Sequence, residues 1–365
     1  MSILSIVLLA YYLGTGPLTL PSPLQAIASR ATVKPSITSS TLRIARPAYS
    51  TMSSPRVSRK LAKSPILAVE QQEGVGATVR RSIGGPGLKN WTPFLMLDHF
   101  KVGKGAGFPD HPHRGQATIT LMQKGYFRHE DSKGHAGLIG PGDVQWMQAG
   151  KGIVHAEMPV HEEGSPDPEG LQLWVDLPKA HKMDDPDYQE LPAEKIPVAN
   201  PTPDISIRVI SGSADGNEEQ GKVESPIRPV GGCHYYEIKM KKSGDSLFQA
   251  IPSGWNAFIY TLAGNIYLGP SGSMVTPLKP FHTLILSSKA EQNGVLVESA
   301  SDDVHFVLIA GEPLDQPIVQ YGPFVVTSQR EVYQAFEDYQ TGKNGFEGAQ
   351  DWASDIGGRK IKGSA

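Results

Sequence analysis

Residues 105–159 read GAGFPDHPHRGQATITLMQKGYFRHEDSKGHAGLIGPGDVQWMQAGKGIVHAEMP, and this stretch decides the fold. His111-Pro112-His113 sets two imidazoles at i and i+2. On an extended strand, side chains two apart share a face. His155-Ala156-Glu157 repeats the spacing with a carboxylate in second place. Between them lie short apolar runs, Ala117 to Met122 and Val144 to Met147, bounded by the turn sequence Gly140-Pro141-Gly142-Asp143. Two such strands side by side in one barrel would bring four ligating groups together.

The same texture runs outward from about Ala68. Short runs such as Leu171 to Leu177, Tyr235 to Met240, Ala257 to Leu262, Thr283 to Leu286 and Val304 to Ile309 alternate with Gly/Pro turns. That is the pattern of an all-β protein. Gly and Pro together make 69 of the 365 residues, too many for a helical protein. Five prolines between Asp184 and Pro203 read as a linker dividing the body into two β halves. The expected organisation is a leader over 1–68, a metal-binding barrel over 69–195, a second barrel over 196–326, and a helix with a tail over 327–365. The helix rests on a capping pair, Ser328 with Glu331, on Val332, Phe336 and Tyr339 at helical spacing, and on the stop at Gly342.

Residues 1–69 carry eight Lys/Arg and no Asp or Glu, leaving 26 of the 34 basic residues against all 37 acidic ones, a net of −11, in 70–365. Such an acidic body does not suit direct nucleic-acid binding. The leader, rich in Ser, Thr, Pro and Ala, reads as a disordered extension or a targeting segment. Its basic, acid-free part resembles a mitochondrial presequence. No apolar run is long enough to span a bilayer. The single cysteine, Cys233, excludes an intrachain disulfide and any Cys-rich metal site, and it reads as buried and inert. Trp146 and Trp174 read as core residues.

Three neutral imidazoles and a carboxylate suit iron(II), manganese, nickel, copper or zinc. Four protein ligands on an octahedral ion leave two positions for a chelating substrate, dioxygen or both. His129, Glu130 and Gln145 are candidates to line the pocket or orient the ligands.

The runs 111–115, 129–132, 140–147 and 150–157, with Phe94 to Asp98, Leu171 to Val175, Gly311 to Leu314, Tyr321 to Val325 and Ala335 to Tyr339, resemble the pirin family of the cupin superfamily. The likeness covers about Val69 to Gly345. It implies two tandem cupin (jelly-roll) β-barrels, with one iron(II) held in the first by His111, His113, His155 and Glu157. It implies a monomer in nucleus or cytoplasm, and two functions. One is a quercetin 2,3-dioxygenase-type reaction of a flavonol with dioxygen, Glu157 taking the substrate proton. The other is a metal-dependent, redox-sensing co-regulator that binds a transcription factor. The chain departs from the family at Ala117, preceded by Gln116, where a glutamate is usual, and at His99, where an acid is usual. These changes are expected to alter the pocket wall. The second barrel has no His-x-His or His-x-Glu, and its expected role is structural.

Overall fold

The structure is a computed structural model that describes residues 55–73, 75–161, 164–269 and 274–357. The targeting readings of the leader concern residues outside the described ones. Two jelly-roll barrels stand in tandem, followed by one short helix. The larger sheet has ten strands. Its main path runs through Asp187–Leu191, Val144–Gln148, Gln116–Lys124, Glu169–Asp176, Phe94–His113, Ile153–Val160, Tyr126–Asp131 and Ala136–Ile139, and the strand Val75–Ile83 pairs alongside Phe94–His113. The second barrel has a seven-stranded sheet built on Asn256–Ala263, Val304–Gly311 and Cys233–Met240. A three-stranded sheet of Ser246–Ala250, Gly294–Ser299 and Ile266–Leu268 closes it.

The barrels meet face to face through one shared apolar core. Strand alternation assigns the sides. Ala117, Ile119, Leu121, Leu171, Leu173 and Val175 point at the second barrel, where Tyr235, Phe258, Tyr260, Val307 and Ile309 meet them. The intervening residues Tyr236, Ile238, Ile259, Phe306 and Leu308 fill the second barrel's own interior. Strands buried on both faces therefore read as continuous apolar runs, and this is why Asn256–Ala263 shows little alternation.

Two boundaries differ from the sequence reading. Residues 55–68, expected to belong to the leader, are part of the second barrel. Ile66–Leu67 adds an edge strand beside His282–Leu286. The fully buried Arg59 donates to the carbonyls of Pro252 and Trp255. Hydroxyl-rich, basic composition hides this docking because backbone pairing at an open edge needs no apolar pattern. The Pro-rich stretch is no open linker either. Asp187–Leu191 pairs with Val144–Gln148 in the first barrel, and Val198–Thr202 pairs with Ile205–Ser211 in the second. The switch falls between Leu191 and Val198.

The helix forms as expected, over Gln329–Thr341. Ser328 caps it by accepting from Glu331 N, and the Glu331 carboxylate turns back to Thr327 N and Oγ1. Gly342 ends it at φ 64, a left-handed conformation that glycine adopts without strain. Its apolar stripe joins Val154, Phe324, Phe346 and Ala349 on the outside of the first barrel.

Candidate metal centre

The two ligand-bearing segments lie on neighbouring antiparallel strands, with His111 opposite His155 and His113 opposite Ile153. Every second residue faces inward, so His111, His113, His155 and Glu157 share the barrel interior. One nitrogen from each of the three imidazoles lies within 4.8 Å of the other two. His155 Nε2 and His111 Nε2 are 3.0 Å apart. The Glu157 carboxylate lines the same cleft as His111 and His113.

Each candidate ligand has its own supports. His111 Nδ1 donates to Pro109 O at 2.9 Å, which leaves Nε2 with a free lone pair. Gln116 Nε2 lies 2.9 Å from His113 Nδ1 and donates to Pro323 O. Gln172 Nε2 donates to Glu157 Oε2 at 3.3 Å, and Thr120 Oγ1 lies 3.3 Å from Glu157 Oε1 and 3.0 Å from Gln172 Oε1. Gly115 makes the turn after the histidines at φ +82. A Cβ there would fall 1.9 Å from Val325 O, so no other residue fits.

The electrostatics favour a cation. Burial holds the His111 imidazole below its ordinary pKa, and His113 and His155 well below it, so all three are neutral donors at pH 7. Burial pushes Glu157 up, against a downward pull from His129. A buried carboxyl that resists ionising gains most when a positive ion arrives. The His155 Nδ1 atom is buried without a hydrogen-bond partner. Three neutral imidazoles meeting with their nitrogens this close are a donor set that fits a transition metal.

A narrow cleft of about 50 Å³ opens onto His111, His113 and Glu157. Phe100, Phe108, Phe127 and Trp174 line it on one side and Glu73, Arg81, Asp98 and Gln172 supply polar groups. Phe100 stacks on Phe127 with centroids 5.2 Å apart, and Trp174 meets His113 edge-on at 5.0 Å. Arg81 forms a bidentate pair with Asp98 at 2.8 and 2.6 Å and also reaches Glu73 at 3.0 Å.

Several sequence-derived expectations resolve here. Trp174 and Trp146 are both buried core residues as read, Trp174 in a cluster with Leu95, Met96 and Val325 that also borders the cleft, and Trp146 in the core between the barrels. His129 is buried on the strand beside Glu157, and its Nε2 lies 2.9 Å from Glu190 Oε1 without the alignment of a hydrogen bond. Gln145 donates to Glu190, away from the ligands. Glu130 accepts from the backbone of Asp355 and does not line the cleft. Ala117 was expected to change the pocket wall. It faces the second barrel instead, because it sits one residue out of phase with Thr118 and Thr120. Gln116 is the neighbour that touches His113. His99 lies at the junction of the barrels, bonded to Tyr260 Oη and Glu169 Oε1. Thr120, Gln172 and Arg81 join the site only through the tertiary structure. A lone Thr or Gln at every second position of an apolar run was the signal for the first two.

Among known proteins, the family model described as Pirin matches residues 76–175, and that of the Pirin C-terminal cupin domain matches 235–345. A Mus musculus protein named Pirin is 48% identical over 82% of this chain and 99% of its own length. The crystal structure of a quercetin 2,3-dioxygenase from Acinetobacter baumannii is 26% identical, with a TM-score of 0.65, covering 79% of this chain and 99% of that one. A bacterial pirin from Escherichia coli, solved in complex with nickel(II), shares the fold at 15% identity and a TM-score of 0.52, over 68% of this chain and 99% of that one.

Proposed function

Because the chain belongs to the pirin family, we propose that its first barrel is an iron(II)-dependent dioxygenase site for a flavonol-like substrate, of the quercetin 2,3-dioxygenase type. The observation that carries this reading is the cluster of three buried, neutral imidazoles, two of which line one cleft with the buried Glu157 carboxyl. The fold is shared with a quercetin 2,3-dioxygenase, which supports it. His111, His113, His155 and Glu157 would hold the ion. Manganese, nickel, copper or zinc would also fit the donor set, and iron is the choice the redox chemistry asks for. Once bound, the metal supplies Lewis acidity toward a phenolic hydroxyl and an electron path to dioxygen.

The chain's own residues do the rest. Phe100, Phe108, Phe127 and Trp174 form the apolar side of the cleft and exclude water from it. Glu157, with its pKa raised by burial, is matched to accept the proton of an acidic hydroxyl. Gln172 and Thr120 hold that carboxyl in place. The test is oxygen uptake and carbon monoxide release by iron-loaded protein given quercetin. Turnover above free iron is expected, falling by about 10²–10⁴ in Glu157→Gln. No turnover, or an unchanged Glu157→Gln variant, overturns the reading.

The acidic balance of residues 70–365 favours a second reading, a metal-dependent binding module for a basic protein partner such as a transcription factor. Capture of the same partners by iron-loaded and metal-free protein would remove the metal from that role.

A further inference from the structure

The two residues that flank His111-Pro112-His113 are both held by the C-terminal arm, residues 328–357. On one side, Asp110 accepts from Ser354 through Oγ and, at 3.4 Å, through the backbone N–H. Ser354 is buried, and Gly357 N donates to its hydroxyl at 2.8 Å. On the other side, the Arg114 guanidinium donates to Asp338 Oδ2 at 2.8 Å and Asn344 O at 2.7 Å, and lies over the Phe346 ring at 4.9 Å. The Arg114–Asp338 pair is almost wholly buried, with side-chain exposures of 3% and 2%.

The second ligand strand is backed by the same arm. Val154, which precedes His155, packs against Ala335, Phe346 and Ala349. Backbone pairing on that side is confined to one bridge, where Arg114 N donates to Pro323 O and Val325 N to Arg114 O. The segment from Phe108 to His113 pairs with Ile153–Val160, whereas the earlier part of its strand pairs with Glu169–Asp176 and Val75–Ile83. The ligand-bearing end of the strand thus depends on contacts from outside the sheet for its second set of anchors.

We propose that the C-terminal arm is a clamp that preshapes the metal centre, with Ser354 and Asp338 as positioning residues, so that arm docking and metal binding strengthen each other. The inference rests on the metal-centre reading and not on any reaction at the site. Coupling between two sites is reciprocal: if the docked arm raises metal affinity, bound metal must tighten the arm by the same factor. Displacing a ligand support typically changes metal affinity by about 10–100-fold.

The test uses the full chain with cobalt(II) and nickel(II) as probes, free of activity measurements. Chelator competition gives the affinities, the cobalt(II) absorption spectrum reports ligand geometry, and hydrogen exchange follows residues 343–357. Ser354→Ala is mild enough to fold, and Asp338→Asn probes the other anchor. Both are expected to weaken both ions by roughly ten-fold and to change the cobalt spectrum. Metal should slow exchange in the parent arm. Arg59→Lys, in the second barrel, should lower the melting temperature and leave affinity and spectrum alone. If Ser354→Ala and Asp338→Asn lower only the melting temperature, with affinity, spectrum and arm exchange insensitive, the arm is a plain brace and the proposal is overturned. A parent protein that retains neither ion in stoichiometric amount overturns the metal-centre reading itself, and the clamp with it.

Discussion

In the first barrel, the strand pair Phe94–His113 and Ile153–Val160 sets His111 opposite His155. In the second, the strand pair Ser246–Ala250 and Gly294–Ser299 sets Phe248 opposite Leu296 and Gln249 opposite Val295. There Leu247, Val295 and Val297 enter an apolar interior. The contrast is one of division of labour. Burying imidazoles and a carboxyl forfeits apolar contact and costs desolvation. The second barrel and the core shared between the two offset that cost, and leave the first barrel free to stay polar inside.

Breaking the comparison at its sharpest point means removing a ligand. His113→Ala is expected to lose stoichiometric metal altogether, by elemental analysis, while its circular dichroism keeps the β signature, because the cores that hold the fold lie elsewhere. Loss of the β fold would mean that the metal is structural. Phe258→Ala should do the reverse. This ring, edge-on to Phe94 at 4.9 Å, is fully buried between the barrels. Its truncation should cost about 3–5 kcal/mol by denaturant titration and leave metal stoichiometry intact in the folded protein. A smaller effect is expected from Thr120→Val, which removes a support of Glu157: roughly ten-fold weaker metal binding in chelator competition.

The pH dependence sharpens the contrast further. His113 and His155 have pKa values held below the ordinary imidazole value by burial, so the folded site takes up no proton there as pH falls through about 6.5, while the unfolded chain does. These two groups therefore contribute stability to the metal-free protein that is present above that pH and lost below it. Proton competition for the metal should come first from Glu157, whose pKa is raised. Calorimetry in buffers of different ionisation enthalpy should show proton release on metal binding that grows as pH falls toward the carboxylate range. Release of three protons would mean that the imidazoles are charged in the empty site. The smallest expected effect is Ser328→Ala, which removes the helix cap for about 1 kcal/mol.

Much of the site was legible in the sequence because two i, i+2 pairs on strands need only local geometry to share a face. The supports were harder to see. Thr120 and Gln172 look like ordinary strand residues until three strands are laid side by side. Ala117 was misplaced on the pocket wall for the same reason: strand phase after a glycine turn is not fixed by residue count. The docking of Arg59 was invisible because its partners are backbone carbonyls nearly two hundred residues away.

The sequence by itself determined the β character, the two-barrel plan, the capped helix and which candidate donor residues share a strand face, since periodicity, turn residues and side-chain spacing are local properties. Tertiary structure decided which side of each strand became pocket and which became the core between the barrels. It also decided which distant segments, Gln172, residues 55–68 and the C-terminal arm, would stand behind the site. Those choices depend on register and on close packing between elements far apart in the chain, which no single stretch encodes.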